Sequence, residues 1–320
     1  MSNVKPYAVG IDMGGTNTVM GIVDTRGKVV ATESVKTKDY PVFQDMIEAI
    51  AATLRKLMGN VGGPQVIAGI GIGAPNANYY SGNIEFAPNL PWKGVLPLGE
   101  ALYDALGIPV AVTNDANAAA IGEMTYGVAK GMRDFIVITL GTGVGSGIVI
   151  NGELVYGHDG FAGELGHTRV YNGDRMCGCG RKGCLETYCS ATGVARTARE
   201  FLTTRDCESL LRKLDPDKIT SKDVFDAAQQ GDALSKEIFE YTGHIMGEAF
   251  ADFVAFSAPE AIILFGGLAK AGDLLFNPIV EAMESNLLDM WKGKIKVLPS
   301  GLASGDAAVL GASALAWKAK

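Results

Sequence analysis

Two α/β domains built on a repeated unit are what this sequence predicts, and three observations carry the expectation. The chain has 320 residues, more than the ~250–300 that a single core usually serves. A strand–glycine turn–strand–turn–strand pattern occurs twice, over residues 7–36 and 135–155. Each occurrence is followed by alternating helical and strand patterns, as in α/β folds. Composition agrees: 48% hydrophobic and 20% charged residues exclude a disordered or collagen-like chain. Glycine, at 42 residues, is close to double the average of about 7%. With no low-complexity tract to hold them, these glycines are expected in tight turns, the usual material of ligand loops.

In order along the chain, residues 7–12 and 18–24 are apolar, β-branched runs joined by Met13-Gly14-Gly15-Thr16-Asn17. Thr25-Arg26-Gly27-Lys28 turns the chain into a third strand, 29–36. Residues 42–58 read as a helix, with Phe43, Met46, Ile47, Ile50, Leu54 and Met58 on one face. A buried strand is expected at 66–73, then a long loop marked by Pro75 and Gly82 that runs to Pro97, a helix at 98–106 and a strand at 110–113. The second meander takes 135–140, the turn Gly141-Thr142-Gly143-Val144-Gly145, 146–150, and 154–155. A mostly helical half follows, including 235–256, and a strand at 261–265 ends at Gly266-Gly267. The expected division is a small domain, 1–116, and a larger one, 117–305, with a last helix (306–318) in a tail, 306–320, that packs back onto the first.

Net charge is −7, so the basic footprint of a nucleic-acid or membrane-surface protein is missing. The longest uncharged apolar run, 135–150, is shorter than the roughly 20 residues of a spanning helix and holds four glycines. The first residues lack a secretory pattern, and a cytoplasmic protein is expected. Of five cysteines, Cys177, Cys179, Cys184 and Cys189 crowd one segment and Cys207 stands alone. An odd count of this kind argues for metal or free thiols over a disulfide framework.

In Asp12-Met13-Gly14-Gly15-Thr16-Asn17, paired glycines at a hairpin turn let backbone N–H groups and the Thr16 hydroxyl cradle a phosphate, with Asp12 placed to hold Mg²⁺ through water. Alone, the motif is equally an ordinary hairpin. Gly141-Thr142-Gly143-Val144-Gly145 repeats it, and Gly266-Gly267 supplies a third glycine site suited to backbone against an adenosine. Strands follow these turns, so neither a Walker loop nor a dinucleotide fingerprint fits. With three such sites at equivalent places, the chain resembles the superfamily of sugar kinases, actin and the heat-shock chaperone ATPases. That resemblance implies two duplicated ribonuclease-H-like domains of actin/hexokinase type, with ATP in an interdomain cleft. The nucleotide would then meet Asp12, Gly14, Gly15, Thr16, Asn17, Thr142, Gly143, Gly145, Gly266 and Gly267.

His167 precedes Cys177-Gly-Cys179-Gly-Arg-Lys-Gly-Cys184, and one imidazole with three thiolates is the usual composition of a closed structural zinc site. The alternatives are buried filler cysteines or a redox pair, although CxC is not the CxxC of oxidoreductases. Cys189 and Cys207 read as structural. The run Leu140-x-x-Gly143-Val144-Gly145-x-Gly147-Ile148, then Gly157, Gly163 and Gly166-His167, together with CGCGRKGCLE, resembles the ROK family (repressors, open reading frames and kinases) over nearly the whole chain.

The family resemblance implies roles residue by residue. Asp115 is the general base that takes the proton of the attacking hydroxyl, and Asn114 binds a ring hydroxyl. Read without the family, Asn114-Asp115 is a helix cap. Asn89, Glu164, Glu186 and His167 meet sugar hydroxyls, His167 with one ring nitrogen while the other binds zinc. Trp92 is expected to wall the pocket, His158 to lie on the surface and His244 at the core edge of a helix. One departure stands out: after Gly73-Ala74-Pro75 many members carry Gly, and this chain has Asn76-Ala77-Asn78-Tyr79-Tyr80. The activity implied is ATP- and Mg²⁺-dependent phosphorylation of a hexose at its 6-hydroxyl, glucose first, another hexose or an N-acetylhexosamine being the alternative, in a homodimer that contacts neither nucleic acid nor membrane. Family repressors carry a DNA-binding domain before the first loop, where this sequence has eleven residues ahead of Asp12.

Overall fold

The computed structural model describes residues 5–170, 172–302 and 307–317. The first sheet is built from β1 (Tyr7–Met13), β2 (Thr18–Asp24), β3 (Val29–Val35), β4 (Ile67–Gly73) and β7 (Val110–Thr113), in the order β3-β2-β1-β4-β7. Between these strands come α1 (Phe43–Gly59), a small hairpin of β5 (Ile84–Glu85) and β6 (Val95–Leu96), and α2 (Leu98–Leu106); α3 (Asp115–Tyr126) follows β7. The second sheet takes β8 (Phe135–Leu140), β9 (Val144–Ile150), β10 (Glu153–Leu154), β11 (Ala261–Phe265) and β12 (Lys296–Pro299), in the order β10-β9-β8-β11-β12. Within each set the order is third, second, first, fourth, fifth. The duplication read from the repeated meander is therefore a duplication of topology. Helices α4 (Glu186–Cys189), α5 (Ala191–Thr204), α6 (Ser221–Gln229), α7 (Ala233–Ser257) and α8 (Asp273–Asn286) fill the chain between β10 and β12, and α9 (Ala307–Ala316) closes it.

Two compact units result. One holds the described residues up to 132, 147–163 and those from 300 onward; the other holds 133–146 and 164–299. The dividing lines are not the linear ones expected at 116 and 305, because α3 and α9 pack as neighbours and keep the whole of α3 in the first unit. Asp306 and residues 318–320, part of the expected tail, lie outside the described residues. In the first unit α1 buries Met46, Ile47, Ile50, Leu54 and Met58, the face its periodicity predicts, against Val9, Ile11, Met20, Ile22 and Ile70 of the sheet.

Four details differ from expectation. Strand β9 starts at Val144, so the second glycine turn is only Gly141-Thr142-Gly143. β12 and the β5–β6 hairpin carry too few residues for a periodic signal. Trp92, expected beside a ligand, is only 5% exposed; its indole N–H donates to the Tyr40 carbonyl at 3.0 Å and its ring meets Phe43 edge-on. Finally, the glycine excess is not all in turns. Gly10 and Gly71 sit mid-strand in β1 and β4 under α9, where a Cβ would lie 2.0 Å from the Val309 carbonyl oxygen and 1.9 Å from that of Ala312.

That packing gives a test. Gly71→Ala should lose more than about 3 kcal/mol of stability in urea unfolding, since backbone on both sides leaves nothing to yield. Gly59→Ala, at the open C-terminal residue of α1 with no atom within 4 Å of the new methyl, should be neutral or stabilising by up to about 1 kcal/mol. Equal effects would show that the α9 contact does not set the helix–sheet distance.

Candidate functional site

The first unit gathers Asp12, the hairpin loop 14–17, Asn89, Asn114 and Asp115 around the C-terminal ends of β1, β4 and β7. Asp12 lies opposite Gly73 in the β1/β4 register. A methyl on Gly73 would in turn lie 3.5 Å from the Asp115 Cα, so both carboxylates flank one strand end. Asn114 does cap α3, as its reading without the family holds: its Oδ1 accepts the Asn117 N–H at 2.7 Å, and Asp115 Oδ1 accepts the Ala116 N–H at 2.8 Å. This cap fixes both side chains at a helix N-terminus, where the backbone dipoles favour negative charge.

The loop is bolted from beneath by Thr37, which the sequence reading passed over. Its hydroxyl donates to the Gly14 carbonyl at 2.7 Å and shares a hydrogen bond with Thr18 at 3.0 Å, and its N–H donates to the Thr16 carbonyl at 3.0 Å. Thr37 is fully buried. Only a threonine between a strand and a helix marks it in the sequence, which is too common a feature to single out. Gly15 has the Asn89 carbonyl oxygen where its Cβ would be, at 2.2 Å. The residue expected at the sugar therefore touches the residue expected at the phosphates.

Both carboxyls are raised, each chiefly by the protein packed around it. Burial first, and then the charge of Asp115, push Asp12 up to about 6 from the ordinary 3.8. Burial likewise holds Asp115 above the carboxylate range, against the pull of the Ala116 N–H. Among the described residues no Lys or Arg pairs with either. Such a pair suits a divalent cation or a proton to be taken up.

In the second unit the Gly141–Gly143 turn is held from three sides. The Ala191 N–H donates to the Gly141 carbonyl at 2.9 Å and the Thr192 hydroxyl to the Thr142 carbonyl at 2.6 Å. Glu186, at the start of α4, accepts the Val144 N–H on Oε2 at 3.1 Å, and that same oxygen stands 2.2 Å from where a Gly143 Cβ would be. Gly145 lies in β9. Gly266, with φ +111°, rests on the Leu140 carbonyl at the end of β8, and nothing lies within 4 Å of the Gly267 Cβ position. Glu164 is exposed and precedes the short turn Leu165–His167, whose His167 N–H donates to the Glu164 carbonyl at 3.0 Å.

His167, Cys177, Cys179 and Cys184 bring their ligand atoms within 4.8 Å of one another. The Cys177 Sγ to His167 Nδ1 distance is 3.8 Å and Cys179 Sγ to Cys184 Sγ is 3.6 Å. Tetrahedral zinc with bonds of about 2.0–2.3 Å needs ligand separations of roughly 3.5–3.8 Å, so the donor set fits that ion. The Cys177 thiol also donates to Glu186 Oε1 at 3.5 Å. Burial pushes Cys177 up to about 12 and lifts Cys184, while the Arg181 backbone N–H draws Cys179 down. Taking up a metal here displaces protons. Arg175, missed in the sequence and only 4% exposed, anchors this segment to α5: its guanidinium donates to the Thr187 carbonyl and the Thr197 hydroxyl, both at 2.9 Å, pairs with Glu200 and lies over the Tyr188 ring. Cys189 is buried packing, as expected, whereas Cys207 is exposed rather than structural. His158 is exposed and His244 half-buried in α7, as expected.

Twin sheets of one strand order, each with a glycine turn between its first two strands, define the two-domain fold of actin/hexokinase type. The ROK family profile matches residues 8–319, and the chain belongs to the ROK family. It is 41% identical to a glucokinase of Halalkalibacterium halodurans over 288 residues, 88% of this chain and 86% of that one. Its identity to a glucokinase of Thermotoga maritima is 36% over 315 residues, 97% of each. A ROK family glucokinase from Streptomyces griseus, solved with glucose and AMPPNP, superposes with a TM-score of 0.81 at 34% identity, over 98% of this chain and 99% of that one. No helix among the described residues is long and apolar enough to cross a membrane.

The raised Asp12 carboxyl has a consequence for stability. A folded-state value near 6 against 3.8 unfolded means the folded protein binds the proton more tightly, so Asp12 favours folding below about pH 4 and loses that contribution as pH rises to 6. Asp12→Asn should therefore stabilise the magnesium-free protein at pH 7–8 by up to about 3 kcal/mol, with the gain fading toward pH 4. Urea midpoints across that range check it; a gain that is independent of pH would contradict it.

Proposed function

We propose that the chain is an ATP-dependent hexose kinase that phosphorylates the 6-hydroxyl, with glucose as its main substrate. The observation that carries this reading is the pair Asp12 and Asp115 flanking one strand end, beside the glycine loop and Asn89. Glucokinases among its relatives, and the glucose and AMPPNP bound in one of them, support it. Asp115 acts as the general base. An ordinary aspartate, near 3.9, is a weak one, but burial raises Asp115 and makes it more ready to accept the proton of the attacking hydroxyl. In phosphoryl transfer that proton leaves late, and most of the rate comes from positioning and charge neutralisation.

Gly14, Gly15, Thr16, Asn17, Thr142, Gly143, Gly145, Gly266 and Gly267 hold the nucleotide. Asp12 is the residue that would hold Mg²⁺ beside the nucleotide, where the ion would supply charge neutralisation of the phosphates. Asn89, Asn114, Glu164, His167 and Glu186 take the sugar hydroxyls. The zinc that fits His167, Cys177, Cys179 and Cys184 is structural and supplies no chemistry. With Nδ1 turned toward the thiols, His167 in the loaded protein keeps Nε2–H as a fixed donor for a hydroxyl.

The test is a coupled ADP-release assay over glucose, mannose, fructose, allose, N-acetylglucosamine and N-acetylmannosamine. Glucose should give the highest kcat/KM, and no turnover with any of them would overturn the kinase reading. Asp115→Asn should lower kcat by about 10²–10⁴ while calorimetry still detects glucose binding. A loss below tenfold would assign the proton to another residue.

Zinc is checked separately. Elemental analysis should find about one zinc per chain, from the Cys₃His count, and Cys179→Ser should lose it, with a lower Tm and weakened glucose affinity but ATP affinity within about twofold, because Thr37, Ala191 and Thr192 brace the glycine turns without the metal. Metal-free wild-type protein purified without chelator, or sugar affinity untouched in the variant, would contradict the assignment.

A further inference from the structure

The segment Asn76–Tyr80, where the chain departs from its family, has a well-defined arrangement. Asn76 takes φ +51°, the left-handed conformation that Gly adopts freely and Asn tolerates best among other residues, and its Nδ2 donates to the Glu85 carbonyl at 3.1 Å. The next residues reach across to a second loop of the same unit. Asn78 is 5% exposed. Its Oδ1 accepts the Tyr80 N–H at 2.9 Å and the Ser81 N–H at 3.3 Å, closing its own turn, while its Nδ2 donates to the Asp159 carbonyl at 2.7 Å. The Tyr80 hydroxyl donates to the Gly157 carbonyl at 2.9 Å. Tyr79 stacks on Tyr156, with centroids 3.9 Å apart and planes within 9°. Gly160, at φ +91°, leaves room for Asn78, whose Oδ1 stands 2.5 Å from the Cβ position.

Three consecutive side chains thus grip one stretch, 156–160, and that stretch runs straight on to Glu164 and His167. We propose that Asn78, Tyr79 and Tyr80 are positioning residues for the sugar: they clamp the chain just ahead of the segment that presents Glu164 and His167, without touching the substrate themselves. This rests on the hexose-kinase reading above. Asn78 contributes most, because a buried amide that loses its acceptor is costly, whereas the more exposed Tyr80 hydroxyl has water to turn to. The two polar contacts are of the kind worth about 0.5–1.5 kcal/mol each, or roughly two- to twelvefold in an equilibrium.

Asn78→Asp separates the clamp from its own turn: Oδ1 still accepts the Tyr80 and Ser81 N–H groups, but the donor to Asp159 is gone. Tyr80→Phe removes one hydroxyl from a solvent-facing ring and should fold normally. For both variants, zinc-loaded and full length, two readouts are compared with wild type. Hydrogen exchange of the ligand-free protein should speed up at 156–167 and stay unchanged in the 14–17 loop. KM for glucose should rise about three- to tenfold, more in Asn78→Asp, with KM for ATP and kcat within about twofold. Unchanged exchange at 156–167 overturns the clamp whatever the activity. Faster exchange with glucose KM unmoved overturns its role in sugar binding, and so does a joint rise in both KM values. Failure of the kinase reading shows in wild type alone, as no hexose turnover, and is thereby distinct from failure of the clamp.

Discussion

The closeness of α9 to the first sheet is the contact on which the rest of the first unit depends. A helix and the sheet it covers are normally held apart by their side chains. Here the Val309 and Ala312 carbonyls take the places of Cβ atoms on Gly10 and Gly71, and the backbones meet directly. The same helix meets α3 through a second glycine pair, where a Cβ on Gly122 would lie 2.7 Å from the Gly311 Cα. β1 ends in Asp12 and α3 begins with Asp115. One short helix from the far end of the chain therefore sets the spacing between the two elements that carry the carboxylates.

That spacing has an electrostatic cost. Burial alone disfavours an ionised carboxylate, and a second one nearby adds to it; Asp12 shows both effects and Asp115 chiefly the first. Such a pair is kept only where the surrounding structure is rigid enough to hold it, and the buried Thr37, the Asn114 cap and the glycine contacts under α9 provide that rigidity. Stability given up at the strand ends is recovered in the apolar layer between α1 and the sheet, where Ile11, Met20, Ile22, Met46 and Ile50 are fully enclosed. Function thus sits at the strand ends, and stability in the layers packed against the sheet.

What the sequence made legible follows from the range of the interactions. Period-2 and period-3.6 patterns are local, so both meanders, α1 and the long α7 could be read directly. The glycine turns, Asn114-Asp115 and the cysteine spacing could be read because their chemistry is carried by residues close together in the chain. Trp92, Thr37, Arg175 and Asn78 could not. Their meaning lies with partners 52, 23, 22 and 81 residues away, and a tryptophan beside a family motif looks the same whether it faces a ligand or the Tyr40 carbonyl. The mid-strand glycines were misread for the same reason: only the position of α9 distinguishes close packing from a turn.

This distinction sharpens the glycine loops themselves. Absence of a side chain has two uses, to let a ligand near or to let the protein's own atoms near, and the geometry separates them. Gly15, Gly143 and Gly266 are already filled from within, by the Asn89 carbonyl, the Glu186 carboxylate and the Leu140 carbonyl. Gly141 and Gly267 have nothing within 4 Å of their Cβ positions, and Thr142 is exposed between two braced carbonyls. The first group builds the loops; the second leaves their open side. A substitution at Gly143 would strike the Glu186 carboxylate and, through it, the segment carrying the cysteines, whereas one at Gly267 would reach only what enters from outside. A glycine-rich signature is therefore a record of two constraints superimposed, and among the described glycines the packed positions outnumber the open ones.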